Sequence, residues 1–310
     1  MGDRYSYSKI DVYKSCPWHF KLRYIDGHFV DTGGLATELG TLIHETEETI
    51  ANTIKAGLTI DYISLKNNIL LSMLRLEHKY KEDFYNLDKS NRTSKDKILG
   101  YLESGIFRLE NFLMANSHLK VVDTEREFEF VLPGTDTVFH GFIDRILYNE
   151  LTMKYIVQDI KTYAVLLEKK NLAVPLQFVI YTHAMKELYG ASAEEVECAY
   201  DLPFCNSIQR AGDKDFMAEG TQKIIDLLKA IDEKEFAPKP TPLCHWCEFC
   251  PTNPNQPEAG KNLCPYHSLW TRDNKTHQVA SNWAGLDQHE LVLFEYIKCQ
   301  NPGEMLYNKV

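Results

Sequence analysis

Two runs of strand-forming residues meet at a short polar turn between Val138 and Tyr163 (VFHGFIDRILYNELTMKYIVQDIKTY), and they restrict the chain more than any other stretch. Side chains alternate along a strand, so Asp159 and Lys161 share a face. With the tight part of the turn at Leu151-Thr152, Asp144 falls directly across from Asp159. Opposed residues carry Cβ atoms roughly 4.5–5.5 Å apart. Two carboxylates and an ammonium then occupy one small patch, and a register slip of one residue would break it.

Adjacent carboxylates repel unless they share a proton or a cation. A hard divalent ion such as Mg²⁺ suits a few carboxylates, water and phosphate oxygens. It polarises a phosphoryl oxygen and lowers the pKa of a bound water. Lys161 beside it can orient that water or balance charge on a phosphate. Taken alone, Asp159-Ile160-Lys161 is equally the pattern of a surface Asp–Lys pair, and Asp144-Arg145 that of a strand-end ion pair.

The flanking stretches supply a framework. Residues 121–132 alternate from Glu125 onward, which reads as a half-buried strand leading through the turn Pro133–Asp136 into the second strand. Strands are expected at about 121–132, 137–148 and 153–163, with a fourth at 194–202 reached by a helix over 175–189. Gln177 and Tyr181, four apart, share one face of that helix. Upstream, 8–24 is helical with a break at Pro17 and Ser8 as N-cap. Residues 37–56 form a helix with His44 among its apolar positions and Glu45, Glu47 and Glu48 on a solvated face. Helices over 60–84 and 95–115 follow. Residues 204–215 read as a polar loop, and 216–231 as a helix. A further helix is expected at 288–299. A solvated strand face explains Glu125, Glu127 and Glu129.

Six short motifs occur in one order: Cys16-Pro17, Gly40-Thr41-Leu42-Ile43-His44, Gly141-x-x-Asp144, Asp159-x-Lys161, Gln177-x-x-x-Tyr181, and Cys244-x-x-Cys247 with further cysteines. In this order and content the chain resembles the RecB-like branch of the PD-(D/E)XK nuclease superfamily, iron–sulfur exonuclease type. Nuclease domains of AddB type and CRISPR-associated adaptation exonucleases are similar. The resemblance spans about residues 5–267. It implies an α/β fold with an αβββαβ nuclease core, a helical insertion and a C-terminal cysteine cluster. Residues 1–240 would be the nuclease domain, with 45–118 as its helical subdomain. Residues 241–267 would be the cysteine segment joined to Cys16, and 268–310 a tail of unread function.

The same resemblance assigns roles. Mg²⁺ or Mn²⁺ would be held by His44, Asp144, Asp159 and the Ile160 carbonyl. Lys161 would support the attacking water, Gln177 and Tyr181 would hold the DNA strand or position the lysine, and Glu127, on the strand where such nucleases often place a Glu, would sit near the metal. The implied activity is hydrolysis of DNA at ends or in single strands. The alternatives are an inactivated DNA-binding module of the same fold, or a zinc-containing interaction protein. No helicase P-loop is present, so ATP-driven unwinding would require a helicase or recombination partner.

Four of the eight cysteines fall within Cys244–Cys264, which reads as a metal or cluster site and not as a disulfide frame. Zinc would take four ligands among Cys244, Cys247, Cys250, Cys264, His245 and His267. A [4Fe–4S] cluster takes four thiolates, and the resemblance implies Cys16, Cys244, Cys247 and one of Cys264 or Cys250. Cys264 is favoured because Cys264-Pro265 mirrors Cys16-Pro17, with 253–262 as an inserted loop. A bond from Cys16 to Cys244 through such a centre would close a loop of about 230 residues and remove much unfolded-state freedom.

Composition narrows the setting. The 310 residues are 44% hydrophobic, enough for a large core, and carry a formal net charge of −10. Phosphate contacts come from Lys and Arg, so this balance argues against broad coating of DNA and leaves room only for a local basic channel. No apolar run reaches membrane-spanning length, and the polar start MGDRYSYSKID lacks a signal-peptide core. The expectation is a bacterial or phage-infected cytoplasm, with no membrane partner.

Overall fold

In chain order the elements are β1 (Arg4–Tyr5), α1 (Tyr7–Ser15), α2 (Pro17–Phe20), α3 (Leu35–Lys55), α4 (Tyr62–Tyr80), α5 (Ser94–Glu103), α6 (Arg108–Ala115), β2 (Leu119–Val131), β3 (Val138–Asn149), β4 (Lys154–Ile160), α7 (Lys169–Ala173), α8 (Leu176–Tyr189), β5 (Val196–Leu202), β6 (Ser207–Ala211), α9 (Phe216–Asp232), β7 (His277–Val279) and β8 (Met305–Tyr307). They come from a computed structural model that describes residues 4–30, 33–88, 90–212, 216–239, 244, 247–250, 253, 260, 263–264, 277–279 and 305–307. The helix expected at 288–299, His245 and His267 lie outside these residues, as does most of 268–310. Two compact units emerge, one of residues 1–7 and 33–223, the other of 8–32 and 224–310. Residues 8–32 thus group with the cysteine segment, whereas the sequence reading placed them in a nuclease domain of 1–240.

The first unit is built on a mixed sheet of order β1-β3-β4-β5-β6, with β2 also paired to β3. β2–β3 and β3–β4 are antiparallel hairpins, and β5 joins β4 in parallel after the α8 crossover. Alternation explains the hairpins: Phe128 and Phe130 of β2 are buried between exposed Glu127 and Glu129. α8 is apolar nearly all round and correspondingly buried from Leu176 to Thr182. It ends at Gly190, whose φ of 66° is the left-handed C-terminal stop that glycine adopts without strain.

Helices α3 to α6 share one apolar cluster with Leu119 and Leu147 of the sheet, so the helical block covers part of the sheet and is not a free-standing insertion. The single helix expected at 95–115 is broken at Ser104 (φ −134°) by a 3₁₀ turn over Gly105–Phe107. A Cβ at Gly105 would lie 2.5 Å from the Tyr101 ring, which explains the glycine. Residues 81–85 likewise form a 3₁₀ turn after α4. α1 starts at Tyr7, so Ser8 is inside its first turn and is not the cap. The expected loop at 204–215 contains β6, antiparallel to β5. β1, two residues parallel to β3, carries too little pattern to be read in advance.

A buried ionic network ties helices to strands. Arg145 of β3 and Arg108 of α6 both pair with Asp201 of β5. They also reach Glu47 of α3 at 3.5 and 3.4 Å, and Tyr101 donates to Glu47 Oε1 at 2.8 Å. Glu47 is 1% exposed, which corrects its expected place on a solvated face. Arg145 is equally buried, so Asp144-Arg145 is no surface pair.

Candidate active site and cysteine site

The β3–β4 turn sets the register. Asn149 Oδ1 accepts from the backbone N–H groups of Leu151 and Thr152 at 3.0 and 3.2 Å, an Asx-type closure. Pairing runs from Asn149↔Lys154 to Arg145↔Gln158, and the same register carried one residue further sets Asp144 opposite Asp159. The Ile160 N–H donates to Asp144 Oδ2 at 2.6 Å. Lys161 stands just past the end of β4, its backbone N–H bonded to the Asp201 carbonyl at 2.8 Å and its Nζ 2.8 Å from Asp159 Oδ2.

His44 comes from α3, with Nδ1 3.8 Å from Asp144 Oδ2. Glu125 comes from β2, where it faces Asp144 across the β2–β3 pair. The ligand atoms of His44, Glu125 and Asp144 all lie within 4.8 Å of one another. Glu125 went unread in the sequence, where Glu127 was the candidate. Pairing the strands about Gly134-Thr135 would have singled out Glu125. Its φ of 43°, close to a register shift between Val121 and Asp123, breaks the simple alternation that would put it on one face with Glu127 and Glu129. Glu127 is exposed and pairs with Phe142.

Gln177 and Tyr181 sit beneath Asp159. Gln177 Nε2 donates to Asp159 Oδ1 at 2.6 Å and to the Tyr181 hydroxyl at 2.8 Å, and the Tyr181 hydroxyl is 3.5 Å from the same carboxylate oxygen. Both are buried and face Asp159. The glycine of Gly141-x-x-Asp144 has a packing reason. A Cβ there would press on the Phe128 ring at 3.0 Å, and that ring packs edge-on against Tyr181.

Electrostatics mark this patch as short of positive charge. Burial raises Asp144 to about 6, opposed by Lys161 and reinforced by Glu125. Burial also raises Asp159 to about 6, against the pull of Lys161 and with the push of Asp144. Glu125 is raised by burial and by Glu48. Burial works against the Lys161 charge, yet Asp159 and Asp144 hold its pKa above the ordinary value. Burial lowers His44, so its imidazole is neutral near pH 7, as a metal ligand must be. Oxygen and nitrogen donors from three separate elements, with excess negative charge, fit a hard divalent cation.

In the second unit, Cys16, Cys244, Cys247, Cys250 and Cys264 line one cavity of about 260 Å³ together with Trp18 and Phe249. None of the described cysteines forms a disulfide. Consecutive turns carry the C-x-x-C-x-x-C run: the Cys247 N–H bonds to Cys244 O, and the Cys250 N–H to Cys247 O. All three cysteines line the same cavity. Burial raises Cys16, and it pushes Cys247 up to about 12, so both thiols need a cation or cluster to become thiolates. His19, unremarked in the sequence, has Nδ1 3.9 Å from Cys247 Sγ and Nε2 3.0 Å from Glu248 Oε1.

Comparison with known proteins bears on the first unit above all. The family model described as PD-(D/E)XK nuclease superfamily matches residues 4–252. No curated protein matches. Among solved structures, the "Crystal structure of SSO0001" is similar at 21% identity over 57% of this chain and 77% of its own, with a TM-score of 0.27, a likeness too slight to carry an argument.

Proposed function

Because the chain belongs to the PD-(D/E)XK nuclease superfamily, we propose that it is a Mg²⁺- or Mn²⁺-dependent deoxyribonuclease of the RecB-like, iron–sulfur exonuclease type. The observation that carries the reading is the convergence of His44, Glu125 and Asp144 beside the Asp159–Lys161 pair. His44, Glu125 and Asp144 would hold the ion, with Asp159 and the Ile160 carbonyl as neighbouring donors. When bound, the ion would polarise a phosphoryl oxygen and acidify a water.

The remaining work falls to side chains already in place. Lys161 orients the attacking water and balances charge as the water oxygen bonds to phosphorus and the P–O ester bond breaks, the leaving oxygen taking a proton. Gln177 and Tyr181 fix the Asp159 carboxylate so that Lys161 keeps its position. Cys16, Cys244, Cys247 and Cys264, with Cys250 as the alternative fourth ligand, would hold a [4Fe–4S] cluster in the cysteine cavity. Its role is to hold the second unit together. Zinc at the same cysteines is the competing assignment, and colour separates the two: an iron–sulfur protein is brown and absorbs near 400 nm, a zinc protein is colourless.

The test is digestion of end-labelled single- and double-stranded DNA with Mg²⁺ or Mn²⁺ after anaerobic purification. The wild type should shorten the strands from their ends. Asp159→Asn and Lys161→Ala should be folded and iron-replete, with cleavage slowed at least about 10²-fold. Cleavage by either variant at the wild-type rate would overturn the reading.

A further inference from the structure

His19 lines the cysteine cavity, yet a cluster held by four thiolates gives it nothing to do. Its two ring nitrogens meet different partners. Nε2 lies 3.0 Å from Glu248 Oε1, and Nδ1 lies 3.9 Å from Cys247 Sγ. Glu248 is 4% exposed, and Arg23 Nη1 donates to the same carboxylate oxygen at 3.2 Å. Phe249 packs edge-on against the imidazole, with ring centroids 5.3 Å apart. In a neutral imidazole whose Nε2–H donates to the carboxylate, Nδ1 carries the lone pair, and here it faces the thiol. A carboxylate behind one nitrogen, with the other free to bind, is how metal-ligating histidines are oriented.

Spacing points the same way. Cys16-Pro17-Trp18-His19 leads into α2, and Cys247-Glu248-Phe249-Cys250 turns on the bond from the Cys250 N–H to Cys247 O. Two ligand pairs, each three residues apart on its own segment, are how a structural zinc ion is gripped. On a tetrahedral zinc ion a nitrogen at about 2.0–2.1 Å and a sulfur at about 2.3 Å stand about 3.6 Å apart, close to the separation of His19 and Cys247. Backbone N–H groups favour the thiolate at both segments, those of Lys239, His19 and Trp18 at Cys16 and that of Phe249 at Cys247. We propose that Cys16, His19, Cys247 and Cys250 form a site for a single tetrahedral ion of the zinc class, with Glu248 orienting His19, and that the cavity fills in this way when no cluster has been assembled. His19 Nδ1 and Cys247 Sγ are the half already in place, and Cys16 and Cys250, on the wall of the same cavity, complete it. The site goes beyond the nuclease reading and asks nothing of the acidic centre.

The full chain, produced in iron-poor medium with Zn²⁺ or with Co²⁺ as its coloured substitute, tests the site. X-ray absorption at the zinc edge should show sulfur and imidazole nitrogen together. The cobalt form should show thiolate-to-metal charge transfer, which the acidic centre cannot give. His19→Ala should lose the nitrogen and bind zinc at least about tenfold more weakly in competition with a chelating dye, and Glu248→Gln about 10- to 100-fold more weakly. His19→Cys should keep the ion in an all-sulfur shell. An all-sulfur shell in the wild type, undiminished zinc affinity in His19→Ala, or a chain that takes up no zinc overturns the proposal. The two readings fail separately. Zinc held through His19 by a chain that cleaves no DNA in Mg²⁺ or Mn²⁺ refutes the nuclease and leaves the ion site standing, whereas a DNA-cleaving chain whose zinc ignores His19 does the reverse.

Discussion

Asp144 and Asp159 titrate within reach of ordinary buffers. Each rises from 3.8 in the unfolded chain to about 6 in the folded one. Folding therefore takes up protons at both, and their favourable contribution to metal-free stability is complete below about pH 4 and lost as pH rises through about 6. A divalent ion bound there would replace those protons. Thermal melts should show Mn²⁺ raising Tm clearly at pH 7.5 and hardly at pH 5, and cleavage should decline as pH falls through about 6. Equal stabilisation at both values would contradict the assignment. Gln177→Leu removes the shorter of the two donors to Asp159 Oδ1 and leaves that buried oxygen only the Tyr181 hydroxyl at 3.5 Å. It should lower metal affinity or cleavage about 10- to 100-fold, read by titration calorimetry and initial rates. Lys161→Ala should cost about 10²–10³ in rate at unchanged metal affinity.

The helices and strands are held in register by charges as well as apolar contacts. Glu47 lies one turn beyond His44 on α3, Arg145 adjoins Asp144 on β3, and the Asp201 backbone carbonyl receives the Lys161 N–H. Arg145→Met leaves Asp201 and Glu47 buried with one cation fewer. It should lower unfolding free energy by about 3–5 kcal/mol in urea titrations; a loss under 1 kcal/mol would show that water replaces the guanidinium. The elements themselves were open to a reader of the sequence where periodicity is strong. Phe128, Phe130 and the β3–β4 turn yielded three strands and the facing pair Asp144–Asp159, and Pro175 marked the start of α8. What escaped depends on distant partners. Glu47 looks solvated in an acidic run because its arginines arrive some 60 and 100 residues later in the chain. Glu125 was hidden by a local backbone irregularity, and β6 (SIQRA) is too short and polar to announce itself.

At the scale of the molecule, the chain divides into a sheet unit that carries the acids and a second unit in which residues 8–32 meet the cysteine segment. Trp18, Leu22 and Phe249 make a small apolar cluster there, with Cys16, Cys247 and Cys264 packed against it. A centre bound at those cysteines would add to what holds residues 8–32 to the cysteine segment. Cys16→Ser or anaerobic chelation should remove absorbance near 400 nm and lower Tm together, whereas retained Tm after iron loss would deny the centre its structural role. No helix among the described residues is long and apolar enough to cross a membrane. Everything proposed for catalysis depends on whether side chains from α3, β2 and β3 grip a cation. Calorimetric titration of Mn²⁺ into the full chain at pH 7.5, beside Asp144→Asn, measures that grip directly. Saturable binding by the wild type that the substitution abolishes is the expected result; an unaltered isotherm for Asp144→Asn would place the ion elsewhere and remove the site.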